Sequence, residues 1–287
     1  MQTDLFGKTR YRVNLHTHTT RSDGAKTPEE AIALYRAQGY DAIALTDHWV
    51  FGPSYVAENG LLVLSGIEYD TKTVTRDGLF HIVGIGLSEP ALLEESATVQ
   101  EMIDAVKNAG GLAVLAHPAW SLNSPSQILP LRDVDATEIY NSVSGVHMSR
   151  RPDSSLIVDM LGAQGRFYPL VADDDTHYYD TDACASWIMV EAEACTQGAI
   201  LDAIYKGNFY ATRGPEIHMW REGDEIVVRS SPVSEIVFLS NQPFSRRVFA
   251  GEGITEARYR PLETETFIRA TVRDKNGKEA WTNVLPL

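Results

Sequence analysis

The sequence is short of cysteine, of long apolar runs and of positive charge, and each shortage excludes something. Two cysteines in 287 residues, Cys184 and Cys195, rule out a disulfide-built scaffold. The first ten residues, MQTDLFGKTR, hold no apolar signal core. The expectation is therefore a cytoplasmic protein with both thiols reduced and partly buried. No run approaches the ~20 apolar residues that a membrane-spanning helix needs. Lys and Arg number 25 against 39 Asp and Glu, a formal charge of −14. That balance disfavours extended nucleic acid, which is gripped by cations on phosphates, and an anionic membrane surface. It leaves room for a small anionic substrate, because bound divalent cations reverse the field inside a pocket.

Short apolar strands and capped helices fill the first two thirds. Tyr11 to Thr17 reads as a buried strand. Thr27-Pro28-Glu29-Glu30 then opens a helix through a capping box, with Ala31, Leu34 and Tyr35 on one face and Gly39 at its end. Further strands are expected at 42–45, 61–64, 80–86, 112–115, 136–140 and 168–172. A second capping box, Thr98 with Glu101, starts a helix that stops at Gly110, and another helix runs over 154–161. Seven strands interleaved with amphipathic helices predict a parallel α/β barrel.

After Gly214-Pro215 the helical period disappears. Short alternating stretches at 217–220, 226–229, 235–239, 246–249, 257–260 and 267–273 read as strands. Asn276-Gly277 reads as a hairpin turn with both residues at positive φ, and Trp281-Thr282-Asn283 as the return strand. The expected organisation is a barrel over 1–214 and a small β-sandwich over 215–287, packed against it.

The chemistry-bearing residues cluster at the strand ends. Six of the eight histidines fall in His16-Thr17-His18, Asp47-His48, Phe80-His81, His117-Pro118 and Asp175-Thr176-His177. Asp23 and Glu68 join them. Residues two apart on a strand point to one side, so His16 and His18 can chelate one ion. A carboxylate such as Glu68 beside an apolar strand is costly to bury unpaired and makes sense as a bridge between cations. At three or four protein ligands per open site, nine candidates fill two metals, or three if a carboxylate bridges. Nitrogen and oxygen donors suit Mn, Fe or Zn.

The ordered set His16-x-His18, Asp23, His48, Glu68, His81, His117, Asp175-x-His177 resembles the PHP (polymerase and histidinol phosphatase) family of metal-dependent phosphoesterases, over residues ~11–180. The resemblance implies a distorted seven-stranded β/α barrel with a trinuclear centre at the strand C-termini. It would assign His16, His18, Glu68 and Asp175 to a first metal. Glu68, His81 and His117 would hold a second, and Asp23, His48 and His177 a third. Tyr210-Ala-Thr-Arg-Gly-Pro215 and Ala280-Trp-Thr-Asn283 resemble the branch of CehA/McbA-type hydrolases, which includes carbamate and aryl-ester hydrolases.

The implied chemistry is metal-assisted hydrolysis of a small phosphomonoester or cyclic phosphodiester, with a hydroxide bridging two metals as nucleophile. Asp175 would orient the nucleophile, and His177 or His48 would protonate the leaving group. Arg21, Arg150, Arg151 and Arg213 are candidates to grip phosphate, and Asn141 ends the sixth strand where a substrate contact is expected. A carboxyl-ester or carbamate hydrolase on the same centre is the alternative; there the arginines would be idle and the pocket apolar. A non-catalytic, metal-stabilised binding module is a third reading. Asp47, Asp173 and Asp174 are expected to orient histidines or to lie solvated in loops, Trp120 to wall the pocket or join the core, and His147 and His218 to be structural. Loops 50–59, 71–78 and 121–134 are the candidate specificity loops.

Overall fold

The computed structural model describes residues 1–72, 78–90, 92–243 and 247–287. Part of the candidate loop 71–78, and Arg246 of the strand expected over 246–249, lie outside the described residues. The chain is a mixed α/β fold. In chain order its first part holds β1 (Gln2–Thr3), β2 (Thr9–Asn14), α1 (Pro28–Ala37), β3 (Ala42–Ala44), β4 (Tyr55–Val56), β5 (Leu62–Leu64), β6 (Gly66–Asp70) and β7 (His81–Ile85). Next come α2 (Val99–Asn108), β8 (Leu112–Leu115), α3 (Pro118–Ser121), α4 (Pro125–Ile128), β9 (Ala136–Asn141), α5 (Ser142–Val146), α6 (Ser155–Gly162) and β10 (Leu170–Asp173). Then follow β11 (Trp187–Val190), α7 (Gln197–Tyr205) and β12 (Phe209–Thr212).

Local chemistry starts the helices where the sequence places them. Thr27 accepts from the Glu30 N–H while Glu30 accepts from the Thr27 N–H, and Pro28 occupies the first turn. Gly39 carries the chain out of α1 at φ 79°. Thr98 and Glu101 repeat the reciprocal cap on α2. Each helix buries one stripe, Ala31, Ile32 and Tyr35 on α1 and Met102, Ile103 and Val106 on α2.

Strands β2, β3 and β5 pair in parallel, as do β8, β9 and β10. The expectation of a fully parallel set fails at β7, which runs antiparallel to both β6 and β8. A parallel neighbour needs a crossover of a dozen or more residues, and only residues 71–80 join β6 to β7. The reversal brings the start of β7, with His81, to the end where the other strands finish. There, beyond the ladders, Thr17 bridges Thr176 in parallel. The His18 N–H donates to the Thr176 carbonyl and the Asp175 N–H to that of His16. Pairing therefore returns from β10 to β2. Val13, Leu64, Val83, Val114, Ile139 and Val171 are buried together inside, each contributing roughly 1.5–3 kcal/mol of apolar burial.

The segment 187–212 holds three elements that the sequence reading passes over. Strand β11 pairs with both β2 and β12. Beyond it lie β13 (Ile217–Glu222), β14 (Glu225–Leu239), β15 (Val248–Tyr259), β16 (Phe267–Arg273), β17 (Glu279–Trp281) and β18 (Leu285–Pro286). The strands expected at 226–229 and 235–239 are one strand, β14, with register shifts on either side of Val233; Pro232 beside the break has no N–H to pair. At the hairpin between β16 and β17 only Gly277 takes positive φ, 76°. Asp274 accepts the N–H groups of Asn276 and Lys278 there, which leaves Asn276 in an ordinary conformation.

The expected boundary at 214/215 is crossed by hydrogen bonds. Strand β17 pairs with β12, so one ladder runs from β2 through β11 and β12 into the C-terminal strands. Side chains reinforce the seam. Trp281 stacks on Tyr140, with centroids 5.4 Å apart, and the Arg213 guanidinium lies 4.5 Å from the centre of the Tyr140 ring. Asn283 accepts the Leu170 N–H and donates to the carbonyls of Gly207 and Phe209. No helix among the described residues is long and apolar enough to cross a membrane.

Candidate metal centre

Eight of the nine candidate ligands lie in or just beyond strands, Asp23 lies in a loop, and all nine converge. His16 and His18 follow β2, His48 follows β3, Glu68 lies in β6, His81 begins β7, His117 follows β8, and Asp175 and His177 follow β10. Asp23 comes from the loop before α1. Two of these residues hold left-handed backbone, His117 at φ 29° and Asp175 at φ 51°, a strain that the surrounding structure must enforce.

Glu68 is at the centre and is almost fully buried. Its Oε1 lies 2.9 Å from His81 Nδ1 and 3.6 Å from His117 Nε2. Its Oε2 lies 3.2 Å from His16 Nε2, 3.1 Å from His18 Nε2 and 3.2 Å from His48 Nδ1. Asp175 divides in the same way: Oδ1 is 3.2 and 3.1 Å from the Nε2 atoms of His16 and His18, and Oδ2 is 3.7 Å from His117 Nε2. Asp23 faces His177 at 3.5 Å and His48 at 3.9 Å. The donor atoms fall into groups within 4.8 Å of one another: His16, His18, Glu68 and Asp175; His18, Asp23, His48 and His177; and His48, Glu68 and His81.

This donor set fits divalent cations. Buried polar groups are ordinarily hydrogen-bonded, yet Glu68 Oε2, Asp175 Oδ1 and His48 Nδ1 are buried with no hydrogen-bond partner among the described residues. The Nε2 atoms of His16 and His18 face each other at 3.1 Å and both turn toward Glu68 Oε2 and Asp175 Oδ1, so the four atoms are placed to share one cation. Six imidazoles and three carboxylates, with no thiolate among them, are donor types that divalent metal ions take.

The electrostatics of the bare cluster follow from the same contacts. Burial resists charging of His48, but Glu68, Asp70 and Asp23 raise it to about 9. Burial likewise resists charging of His177, and Asp23 and Asp175 raise it to about 9. His16 is held well above the usual histidine range by Asp175, Glu68 and Glu138 despite complete burial. Burial pushes Glu68 and Asp175 up, and the surrounding histidines overcome it and hold both well below the usual carboxylate range. The pocket thus gathers positive charge against its carboxylates, in protons or in cations.

Other residues hold this array. The sequence reading misses Glu138 on β9, whose Oε1 is 2.7 Å from His16 Nδ1. The signal was a carboxylate inside a strand buried along its whole length. It also misses Asp70, 3.3 Å from His48 Nδ1, and Asp182, which accepts the N–H groups of His177, Tyr178 and Tyr179. Asp47, Asp173 and Asp174 are buried, and they hold main chain and hydroxyls, not imidazoles. Asp47 takes Thr19 and Ser22, Asp173 the Leu15 N–H, and Asp174 Tyr35 Oη with three successive N–H groups from Cys184. Burial raises Asp174 to about 6.

The expected substrate contacts stand elsewhere. A cavity of about 150 Å³ opens on the cluster, walled on its other side by Trp120, Val143, Ser144 and Met148. Asn141 is buried beneath it with its amide fully committed, donating to Glu138 and Asp175 and accepting from Ser144 N and Oγ. Arg213 sits on Tyr140 at the seam. Arg21, Arg150 and Arg151 are exposed, and no arginine is among the described residues that line the cavity. His147 pairs with Asp180 at 2.7 Å on the surface, and His218 pairs with Glu216 at 2.6 Å between the Phe6 and Tyr210 rings. Both thiols are free and half-buried.

Comparison with known proteins agrees with this arrangement. The chain is 34% identical over 96 residues to a 3',5'-nucleoside bisphosphate phosphatase of Chromobacterium violaceum, a stretch of 31% of this chain and 33% of that protein. It is 31% identical over 83 residues, 27% of this chain and 32% of the other, to a phosphoribosyl 1,2-cyclic phosphate 1,2-diphosphodiesterase of Eggerthella lenta. The chain thus spans about a third of the length of each of these relatives. The whole chain superposes on a crystal structure from Bacteroides vulgatus, described as a two-domain protein containing a predicted PHP-like metal-dependent phosphoesterase. The TM-score is 0.56 at 16% identity, covering 99% of this chain and 98% of that one, which shows a shared fold. A PHP domain family model matches residues 14–214, well over half of the sequence, and on that match the chain belongs to the PHP domain family.

Proposed function

We propose that the protein is a metal-dependent hydrolase that cleaves a small-molecule phosphomonoester or cyclic phosphodiester at a centre of two or three divalent ions, Mn, Fe or Zn. One observation carries the reading: Glu68 presents one oxygen to His81 and His117 and the other to His16, His18 and His48. A carboxylate so placed would suit two cations at once. The same reading takes the seven strand segments as a distorted barrel with the centre at one end, and residues 215–287 as an appendage clamped to it.

In this reading His16, His18, Glu68 and Asp175 would hold a first ion, Glu68, His81 and His117 a second, and Asp23, His48 and His177 a third. Such ions supply Lewis-acid charge that lowers the pKa of water and offsets the charge developing on phosphorus. Asp175, fixed from below by Asn141, orients the attacking water. With only two ions bound, His177, half-buried at the mouth and 3.5 Å from Asp23, or His48 would be free to protonate the leaving oxygen. Arg21, Arg150 and Arg151 lie outside the cavity and would reach a phosphate only at its rim.

The apolar wall of Trp120, Val143 and Met148, with no arginine among the described lining residues, favours a second reading: a carboxyl-ester or carbamate hydrolase on the same centre. Turnover of p-nitrophenyl phosphate, bis-p-nitrophenyl phosphate and p-nitrophenyl acetate by Mn-loaded protein separates the two. Phosphate-ester turnover that disappears in both His16→Ala and Asp175→Ala supports the first reading. Acetate turnover alone, lost in the same variants, replaces it with the second.

A further inference from the structure

Glu138 is buried on β9, 1% exposed, and it is none of the nine candidate ligands. Its two oxygens meet three donors from three elements. Oε1 is 2.7 Å from His16 Nδ1, while Oε2 accepts the His117 N–H and the Asn141 amide, each at 2.8 Å. Asn141 passes the same anchor on to Asp175 Oδ2 at 3.1 Å. One carboxylate is thus joined to candidate ligands that follow β2, β8 and β10.

We infer that Glu138 is a positioning residue that sets the tautomer of His16 and holds His117 and Asp175 in place for metal binding. The inference rests on the reading of the cluster as a metal centre. Imidazole has two nitrogens, and the partner of one decides what the other can do. With Nδ1–H donated to Glu138, the Nε2 lone pair is left free. That nitrogen is the one facing His18 Nε2, Glu68 Oε2 and Asp175 Oδ1. The second oxygen acts on backbone. His117 sits at φ 29°, a conformation that a non-glycine residue holds only under constraint, and its N–H is tied down by Glu138.

The role is specific to a carboxylate. All three partners donate, so both oxygens must accept. A glutamine of the same size fails in either orientation. With its amide group toward His16, it forces Nδ1 to accept and moves the proton to Nε2, the metal-facing atom. Turned the other way, it sets its donors against those of His117 and Asn141. The first orientation opposes fewer donors and is the expected one.

The experiment uses Zn²⁺ alone and the full chain, wild type and Glu138→Gln, with Glu138→Ala as a second variant. Chelator competition gives the Zn²⁺ affinity, nitrogen-15 NMR of the Zn²⁺-loaded protein gives the protonated nitrogen of His16, and thermal melting checks the fold. The wild type is expected to show a proton on Nδ1 of His16. Glu138→Gln is expected to melt cooperatively, to lose that signal and to bind its weakest ion about 10–100-fold less tightly. The inference is overturned if wild-type His16 carries its proton on Nε2, a readout that needs no variant, or if both variants bind Zn²⁺ as the wild type does. A wild-type protein that binds no Zn²⁺, Mn²⁺ or Fe²⁺ would instead sink the metal-centre reading itself.

Discussion

Arg269 on β16 grips Asp159 on α6 with two parallel hydrogen bonds, Nε to Oδ1 at 2.6 Å and Nη2 to Oδ2 at 2.8 Å. The arginine side chain is fully buried and the carboxylate about one-fifth exposed. The pair joins α6 to the C-terminal strands, and among the described residues neither partner has a second charged group as close. Removing one partner leaves a buried charge, which is worse than removing both. Asp159→Ala is therefore expected to cost about 3–5 kcal/mol in urea unfolding. Asp159→Leu with Arg269→Met should recover most of that loss. Equal losses in the single and double variants would show that packing, not charge, holds the seam.

Glu68 and Asp23 should differ in metal stoichiometry. Glu68 faces five histidines and Asp23 only the outer pair, His48 and His177, together with His18. Metal analysis after dialysis is expected to find Glu68→Gln depleted of two ions and Asp23→Asn of one at most. Hydrolysis by Glu68→Gln should fall at least ~10²–10³-fold, the scale of losing a main source of transition-state charge stabilisation. Retention of full metal content by Glu68→Gln contradicts the bridging role.

The pH dependence of the metal-free protein has a definite sign. His48 and His177 titrate near 9 when folded and near ~6.5 when unfolded. Their pairing with Glu68, Asp23 and Asp175 contributes stability that is fully present below about 6.5 and lost as the pH rises through about 9. Melting in the presence of chelator should fall across that window. Apparent metal affinity should climb over the same window, since a cation must displace those protons. A flat melting profile from pH 6.5 to 9.5 would count against the raised values.

Arg213 and Arg21 separate the seam from the site. Arg213 covers the Tyr140 ring, and a cation–π contact of this kind is worth roughly 0.5–2 kcal/mol. Arg213→Ala should lower stability by about that much while leaving kcat/KM for the best substrate little changed. Arg21 is exposed beside the Asp23 loop. If it meets phosphate at the rim, Arg21→Ala raises KM for phosphate esters without moving the melting temperature. Unchanged KM points to the ester or carbamate reading.

Much of this was legible in the sequence because it is local chemistry. The capping boxes at Thr27 and Thr98 each need only four consecutive residues. The strands that carry His16, His48, His117 and Asp175 are short apolar runs whose hydrophobicity needs no partner to be read. The segment 187–212 was not legible. Trp187-Ile-Met-Val is too short to be told from loop, and it becomes a strand because β2 and β12 flank it. The merging of two expected strands into β14 depended on β15 pairing on both sides of Pro232.

The sequence by itself determined which donors are present and in what order they leave the strands, since residue type and strand ends are both local properties. Only the tertiary structure decided how those donors divide around Glu68, because the two faces of one carboxylate are assigned by strands far apart in the chain. It also decided that Asn141 points inward to Glu138 and Asp175, that Arg213 belongs to the seam, and that Glu138 belongs to the site. Those assignments are set by pairing and burial between distant segments, which composition and spacing do not carry.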